Sequence, residues 1–173
     1  MADLRDVLML AHRLLDEAGA DHVLIGAMAL GNLGVHRATV DIDLLVDARR
    51  IADAKAALQS GGFELLEEGS ETLHFGGIGT LDILLARRGP SLEMLARARP
   101  APKLGMKCAT AEDIIGLKIQ AYTNDPKRKL QDLADIEALI RTQADLEWDR
   151  IRRYADLFGE WSTMQALKDE NQP

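Results

Sequence analysis

Arg37-Ala38-Thr39-Val40-Asp41-Ile42-Asp43-Leu44-Leu45-Val46 reads as a β-strand from Thr39 to Val46, β-branched and apolar except for two acids. In a strand alternate residues share a face, so Thr39, Asp41 and Asp43 point one way and Val40, Ile42 and Leu44 the other. Two neighbouring carboxylates repel. At an effective dielectric of about 20, unit charges ~4 Å apart cost roughly 4 kcal/mol. A divalent cation removes the conflict, and an all-oxygen donor set suits magnesium or manganese. The plainer reading is a strand end whose acids are solvated or paired with Arg37.

Two flanking features bear on that choice. Upstream, His22-Val23-Leu24-Ile25 is a short buried strand that runs through Gly26-Ala27 into a helix over residues 27–33. Such a turn presents backbone N–H groups suited to a phosphate, although a plain strand-to-helix turn has the same pattern. Downstream, Asp82 stands inside the strand Thr80–Ala86. A carboxylate there is costly unless it is paired, bound to a cation, or at a water-facing edge.

Outward from these, residues 3–18 carry Leu4, Val7, Leu8, Ala11, Leu14 and Leu15 at helical spacing and end before Gly19,. Ile51–Gln59 is a second amphipathic helix. Phe63–Leu66 and Thr72–Phe75 are strands, and Gly76–Gly79 is turn chemistry without a phosphate-loop lysine. A short helix, Ser91–Ala98, lies in a proline-bounded connection, and Lys103–Cys108 is a last short strand. Thr110 and Asp113 resemble a capping box ahead of helices over about 111–123, 127–142 and 147–158. The last dozen residues are polar and expected to fray. The layout is an α/β core over residues 1–108 followed by a helical part over 109–173.

The order of these parts resembles the nucleotidyltransferase superfamily with the polymerase-β-like core. That family's motif is a hydrophobic residue, Gly, then Gly or Ser, followed about a dozen residues later by an acidic-x-acidic strand and then by a third acid on a later strand. Gly26 matches the glycine, Asp41 and Asp43 the paired acids, and Asp82 the third. The Arg37–Val46 segment and Lys129-Leu130-Gln131-Asp132-Leu133-Ala134-Asp135-Ile136 look like small bacterial members related to abortive-infection toxins of toxin–antitoxin systems. The resemblance covers most of residues 20–140. It implies a mixed sheet flanked by helices with a C-terminal helical extension. It also implies Asp41, Asp43 and Asp82 as catalytic metal ligands for Mg2+ or Mn2+, and a nucleoside triphosphate (NTP) as substrate. Asp41 and Asp43 would hold the cation on the triphosphate, while Asp82 would complete a second site and help activate an acceptor hydroxyl. One departure stands out. Ala27 occupies the position of the family's second small residue, keeping the backbone N–H but lacking a hydroxyl for phosphate at what reads as a partly open turn.

Two functions follow, an enzyme and a non-enzymatic module of the same fold that binds a partner protein or nucleotide. The three acids favour the first, Ala27 the second. The acceptor is open between a small molecule such as an antibiotic, an RNA end and a protein hydroxyl. Arg37, Lys118 and Lys129 are further candidates for the nucleotide. Lys118 and Tyr122, at i and i+4, share a helix face that is either cleft or partly buried core, and Lys129 with Asp132 is by default a surface pair. Lys127-Arg128-Lys129 reads as a solvated basic face. His12, His22, His36 and His74 lack metal-ligand spacing and read as structural or exposed.

Composition fits this reading. The chain has 173 residues with net charge −7, which excludes the overall positive field of a dedicated nucleic-acid binder. Its single cysteine, Cys108, excludes an intrachain disulfide and a multi-cysteine zinc site. No signal peptide or membrane-spanning run is visible, so a cytoplasmic protein is expected.

Overall fold

The computed structural model describes residues 3–171. Helix α1 (Leu4–Glu17) starts where the Asp3 carboxylate accepts the Arg5 N–H at 3.1 Å, and it buries Val7, Leu8, Ala11 and Leu15 along one stripe,. Strand β1 (His22–Ile25) runs directly into α2 (Gly26–Asn32). Strand β2 (Asp41–Asp47) follows, entered through Thr39, whose hydroxyl bonds the backbone of Asp41. A 3-10 turn leads to α3 (Ile51–Ser60), β3 (Phe63–Glu68), β4 (Thr72–Gly77) and β5 (Thr80–Ala86). After α4 (Gly89–Arg97) come β6 (Arg99–Ala101) and β7 (Met106–Cys108), then helices α5 (Ala111–Asn124), α6 (Lys129–Thr142), α7 (Trp148–Phe158) and α8 (Trp161–Asn171).

The seven strands form one mixed sheet in the order β3-β4-β5-β2-β1-β7-β6. β2 lies at its centre, parallel to β5 and antiparallel to β1. A central strand is covered on both faces, and Ile42, Leu44, Leu45 and Val46 are accordingly buried. Helix α1 packs with α3 and against β2, while α4 packs on β2 and β5. This is the expected α/β architecture, a mixed sheet flanked by helices.

The described residues fall into two compact units. One holds the chain through Ala29 together with Arg37–Ala109; the other holds Leu30–His36 and the chain from Thr110 onward. In the second, α5 packs on α6 and α7, and α8 packs on both of those. Gly116 gives Tyr154 room to approach, since a Cβ there would lie 2.5 Å from its ring. The Tyr154 hydroxyl donates to Asp113 at 2.6 Å. Thr110 caps α5 by accepting the Asp113 N–H at 3.4 Å, so the capping-box hydroxyl is in place while the Asp113 carboxylate serves Tyr154.

Two expectations fail here. The polar tail forms α8 through Asn171; Met164 is fully buried, and Lys168 lies 4.8 Å from the centre of the Trp148 ring. The proline-bounded connection contains β6, which pairs antiparallel with β7, so Met106–Cys108 is the inner strand of a hairpin. Pro100 is tolerated there because β6 is the edge of the sheet,.

Candidate functional site

The register of the central strands aligns four residues across the sheet. Ile25 of β1 is opposite Asp43 of β2, Asp43 opposite Asp82 of β5, and Asp82 opposite His74 of β4. Residues opposite one another on adjacent strands project to the same face, and strands lie about 4.8 Å apart. Asp43 and Asp82 are therefore neighbours on one face. Asp41, two positions from Asp43 and opposite Thr80, shares that face. All three acids are half-buried. The apolar residues between them, Ile42, Leu81 and Ile83, are buried on the other side.

Gly26 is tied to this row. Its φ of +67° is left-handed, and a Cβ on it would lie 2.0 Å from Oδ2 of Asp43. The turn between β1 and α2 thus passes directly against the Asp43 carboxylate. Ala27 is next, and it is not at an open turn. It is 4% exposed, because α2 heads straight into the core with Ala29 and Leu30 fully buried behind it. Arg37 is exposed in the segment leading to β2.

His74 was missing from the site as read from sequence. Its Nδ1 lies 2.7 Å from Oδ1 of Asp82. The carboxylate accepts, so Nδ1 carries the proton. The alternation of β4 and β5 held the signal, but the pairing register that joins the two residues is not written in either strand.

Lys118 and Lys129 belong to the helical unit, and each has local partners. Lys118 is 6% exposed, its ammonium 2.9 Å from Asp132 and 2.6 Å from Asp135 on α6. The ammonium joins α5 to α6. The Asp132 carboxylate also accepts from Arg128 at 3.2 Å. The expected Lys129–Asp132 pair is replaced by Lys129 with Glu160 at 3.7 Å, the ammonium lying 5.3 Å from the Tyr122 ring centre. Tyr122 donates to Glu160 at 3.1 Å. Burial, then the Glu160 hydrogen bond and charge, push the phenol well above its usual pKa, which makes it a poor proton donor.

Among the described residues, one group of three His, Cys, Asp or Glu side chains has its ligand atoms within 4.8 Å of one another, and it is not the acid row. It is His12, Asp16 and His22. His12 and His22, read from sequence as structural or exposed for want of metal-ligand spacing, thus stand together with a carboxylate. His12 and Asp16 are one turn apart on α1, and the turn after Gly19 brings His22 back beside them. The i, i+4 spacing was a usable signal; the return of β1 was not. Burial, opposed by the hydrogen bond to Ala20, lowers the pKa of His22.

No protein-family model matches the chain, and no curated protein does. Solved structures match. The solution structure of the antibiotic-resistance factor ANT(2'')-Ia aligns with TM-score 0.68 and 17% identity, covering 94% of this chain and 95% of that one. A crystal structure of ANT(2'')-Ia in complex with adenylyl-2''-tobramycin aligns with TM-score 0.68 and 18% identity, over 91% of this chain and 98% of that one. An antigenic nucleotidyltransferase-like protein from Paracoccidioides brasiliensis aligns with TM-score 0.55 and 18% identity, over 96% and 92%. At these identities the likeness is one of fold. The chain has a nucleotidyltransferase-like fold.

Proposed function

We propose that this protein is a nucleotidyltransferase that moves a nucleoside monophosphate from an NTP to an acceptor hydroxyl. The observation that carries the reading is the row Gly26–Asp43–Asp82, with Asp41 on the same face. Three carboxylates on one face are an all-oxygen donor set that fits Mg2+ or Mn2+. Asp41, Asp43 and Asp82 would hold the cations. Two such ions, when bound, neutralise the triphosphate and stabilise the attacking and leaving oxygens of an in-line displacement.

The chain's own groups then divide the work. The backbone at Gly26-Ala27 approaches the triphosphate where no side chain intervenes, and Arg37 neutralises its charge. His74 holds Oδ1 of Asp82, which leaves Oδ2 to orient the acceptor hydroxyl and take its proton. The acceptor oxygen bonds to the α-phosphorus, the bond from that phosphorus to the bridging oxygen breaks, and pyrophosphate leaves.

For the acceptor we favour a small, polycationic, hydroxyl-bearing molecule of the aminoglycoside kind, met in the cytoplasm. Support comes from the net charge of −7 and from the near end-to-end alignment with ANT(2'')-Ia, whose structure holds adenylyl-2''-tobramycin. Among the described residues no helix is long and apolar enough to cross a membrane.

The test is incubation with α-labelled NTPs, magnesium or manganese, and a panel of aminoglycosides, RNA ends and cell lysate. Label transfer to a small molecule, lost in Asp43→Asn, supports the reading; label on RNA or protein moves the acceptor class. A second reading, favoured by Ala27, is a module that binds nucleotide or a partner protein, as in a toxin–antitoxin pair. Triphosphate binding without transfer to any acceptor would favour it.

A further inference from the structure

His12, Asp16 and His22 take no part in the acid row. His22 pairs with Val46 while Ile25 pairs with Asp43, so the two groups sit at opposite ends of β1, about 10 Å apart along the strand. Beside the histidines opens a cavity of about 330 Å³, walled by Asp21, Pro100, Met106 and Lys107.

The hydrogen bonds there fix which ring nitrogens face one another. His22 Nδ1 lies 2.7 Å from the Ala20 carbonyl. A carbonyl only accepts, so Nδ1 holds the proton and Nε2 of a neutral His22 presents a lone pair. That Nε2 is 2.7 Å from Nδ1 of His12, whose Nε2 is in turn 3.6 Å from the Asp16 carboxylate. His12, Asp16 and His22 each bring one ligand atom within 4.8 Å of the others, the spacing at which a single cation can be shared.

We propose that His12, Asp16 and His22 form a second metal site, for a divalent transition cation of the zinc class. Two imidazoles and a carboxylate suit zinc, nickel or cobalt, in contrast to the all-oxygen acid row. The Ala20 carbonyl on the far nitrogen of His22 is the kind of outer contact that fixes a ligating histidine's tautomer and ring orientation. Three protein ligands leave a fourth position toward the cavity for water or a small anion. Ligand atoms around a tetrahedral cation of this size are roughly 3.3 Å apart, so the two rings open by about half an ångström as the ion enters. The ion would join α1 to β1, and its binding would add to stability.

Titration of the full chain with zinc, in millimolar magnesium to occupy the acid row, tests this. One equivalent should bind and raise Tm. Asp16→Asn, at an exposed position of α1, should fold with the zinc-free Tm of the wild type, and His12→Gln, half-buried beside His22, should still fold; both should lose at least tenfold in zinc affinity. Asp43→Asn should keep it. Cobalt should give a visible spectrum that His12→Gln abolishes. Absence of zinc binding overturns the proposal. So does an affinity that His12→Gln leaves unchanged, or one that only Asp43→Asn removes.

Discussion

A methyl group on Gly26 would lie 2.0 Å from Oδ2 of Asp43 and 2.5 Å from its Cγ. The left-handed φ of +67° adds a second barrier to any side chain,. In Gly26→Ala the backbone strain alone is about 1–2 kcal/mol, and the Asp43 carboxylate must also leave its place beside Asp82. Gly26→Ala is therefore expected to lower Tm by several degrees and to abolish metal-dependent triphosphate binding. Asp43→Asn should abolish that binding with a smaller change in Tm. Calorimetric titration with a non-hydrolysable triphosphate, beside thermal melts, separates the two effects.

What the sequence made legible follows from where the determining forces are local. β1, β5 and the acid-x-acid strand carry their own apolar periodicity and glycine boundaries, and the structure places His22–Ile25 and Thr80–Ala86 at the expected bounds. β6 did not show because three residues around Pro100 have no period to detect. α8 did not show because it buries few residues, Met164 foremost. The histidine cluster and the His74–Asp82 contact depend on the return of one element past another. No local pattern encodes such a meeting. The role of Lys118 was open for a related reason: a lysine at helical spacing looks the same whether its partner is a phosphate or two aspartates from the next helix.

The buried Lys118 network yields a prediction of its own. Removing one partner of a buried ion pair is worth roughly 3–5 kcal/mol, because the remaining charge has lost its compensation. Lys118→Met is expected to destabilise by that order, read from urea denaturation. Lys118→Met combined with Asp132→Asn and Asp135→Asn should recover part of the loss. Triphosphate affinity of the folded fraction should stay within about twofold of wild type. A tenfold loss there would place Lys118 at the nucleotide site.

Acid stability should depend on Asp47 and Glu112. The Arg49 guanidinium beside Asp47, with the Arg49 N–H and against a burial penalty, holds its carboxyl below the ordinary 3.8. For Glu112, burial pushes the pKa up. The N–H of Glu147, its own N–H, the Thr110 hydroxyl and Arg150 outweigh that and bring it below 4.5. A carboxyl whose folded pKa lies below its unfolded value stabilises the fold above the unfolded pKa, and that stability is lost as pH falls through the folded one. Stability should fall from about pH 4.5 downward. Asp47→Asn should be less stable than wild type at pH 7, with the gap closing toward pH 2. Denaturation midpoints across that range measure it; a gap independent of pH would rule out Asp47 as a contributor.

Substitutions at Ala27 test whether the missing hydroxyl weakens the nucleotide site. A serine at an open turn, one of the two residues the resembled motif carries there, would add a hydrogen bond to a charged group, about 1.5–3 kcal/mol, or tenfold or more in triphosphate affinity. The structure changes that expectation, because Ala27 is 4% exposed. A hydroxyl there starts in apolar surroundings, and an unmatched buried polar group costs about 1–3 kcal/mol. Ala27→Ser is therefore expected to be less stable by about 1 kcal/mol, with triphosphate affinity within twofold of wild type. Ala27→Gly keeps the backbone N–H without adding a polar atom, and should likewise leave affinity near wild type. Titration of the three proteins with a non-hydrolysable triphosphate and magnesium decides the matter. A tenfold gain in Ala27→Ser would mean that the side chain at 27 reaches the phosphates after all, and that the wild-type alanine weakens nucleotide binding.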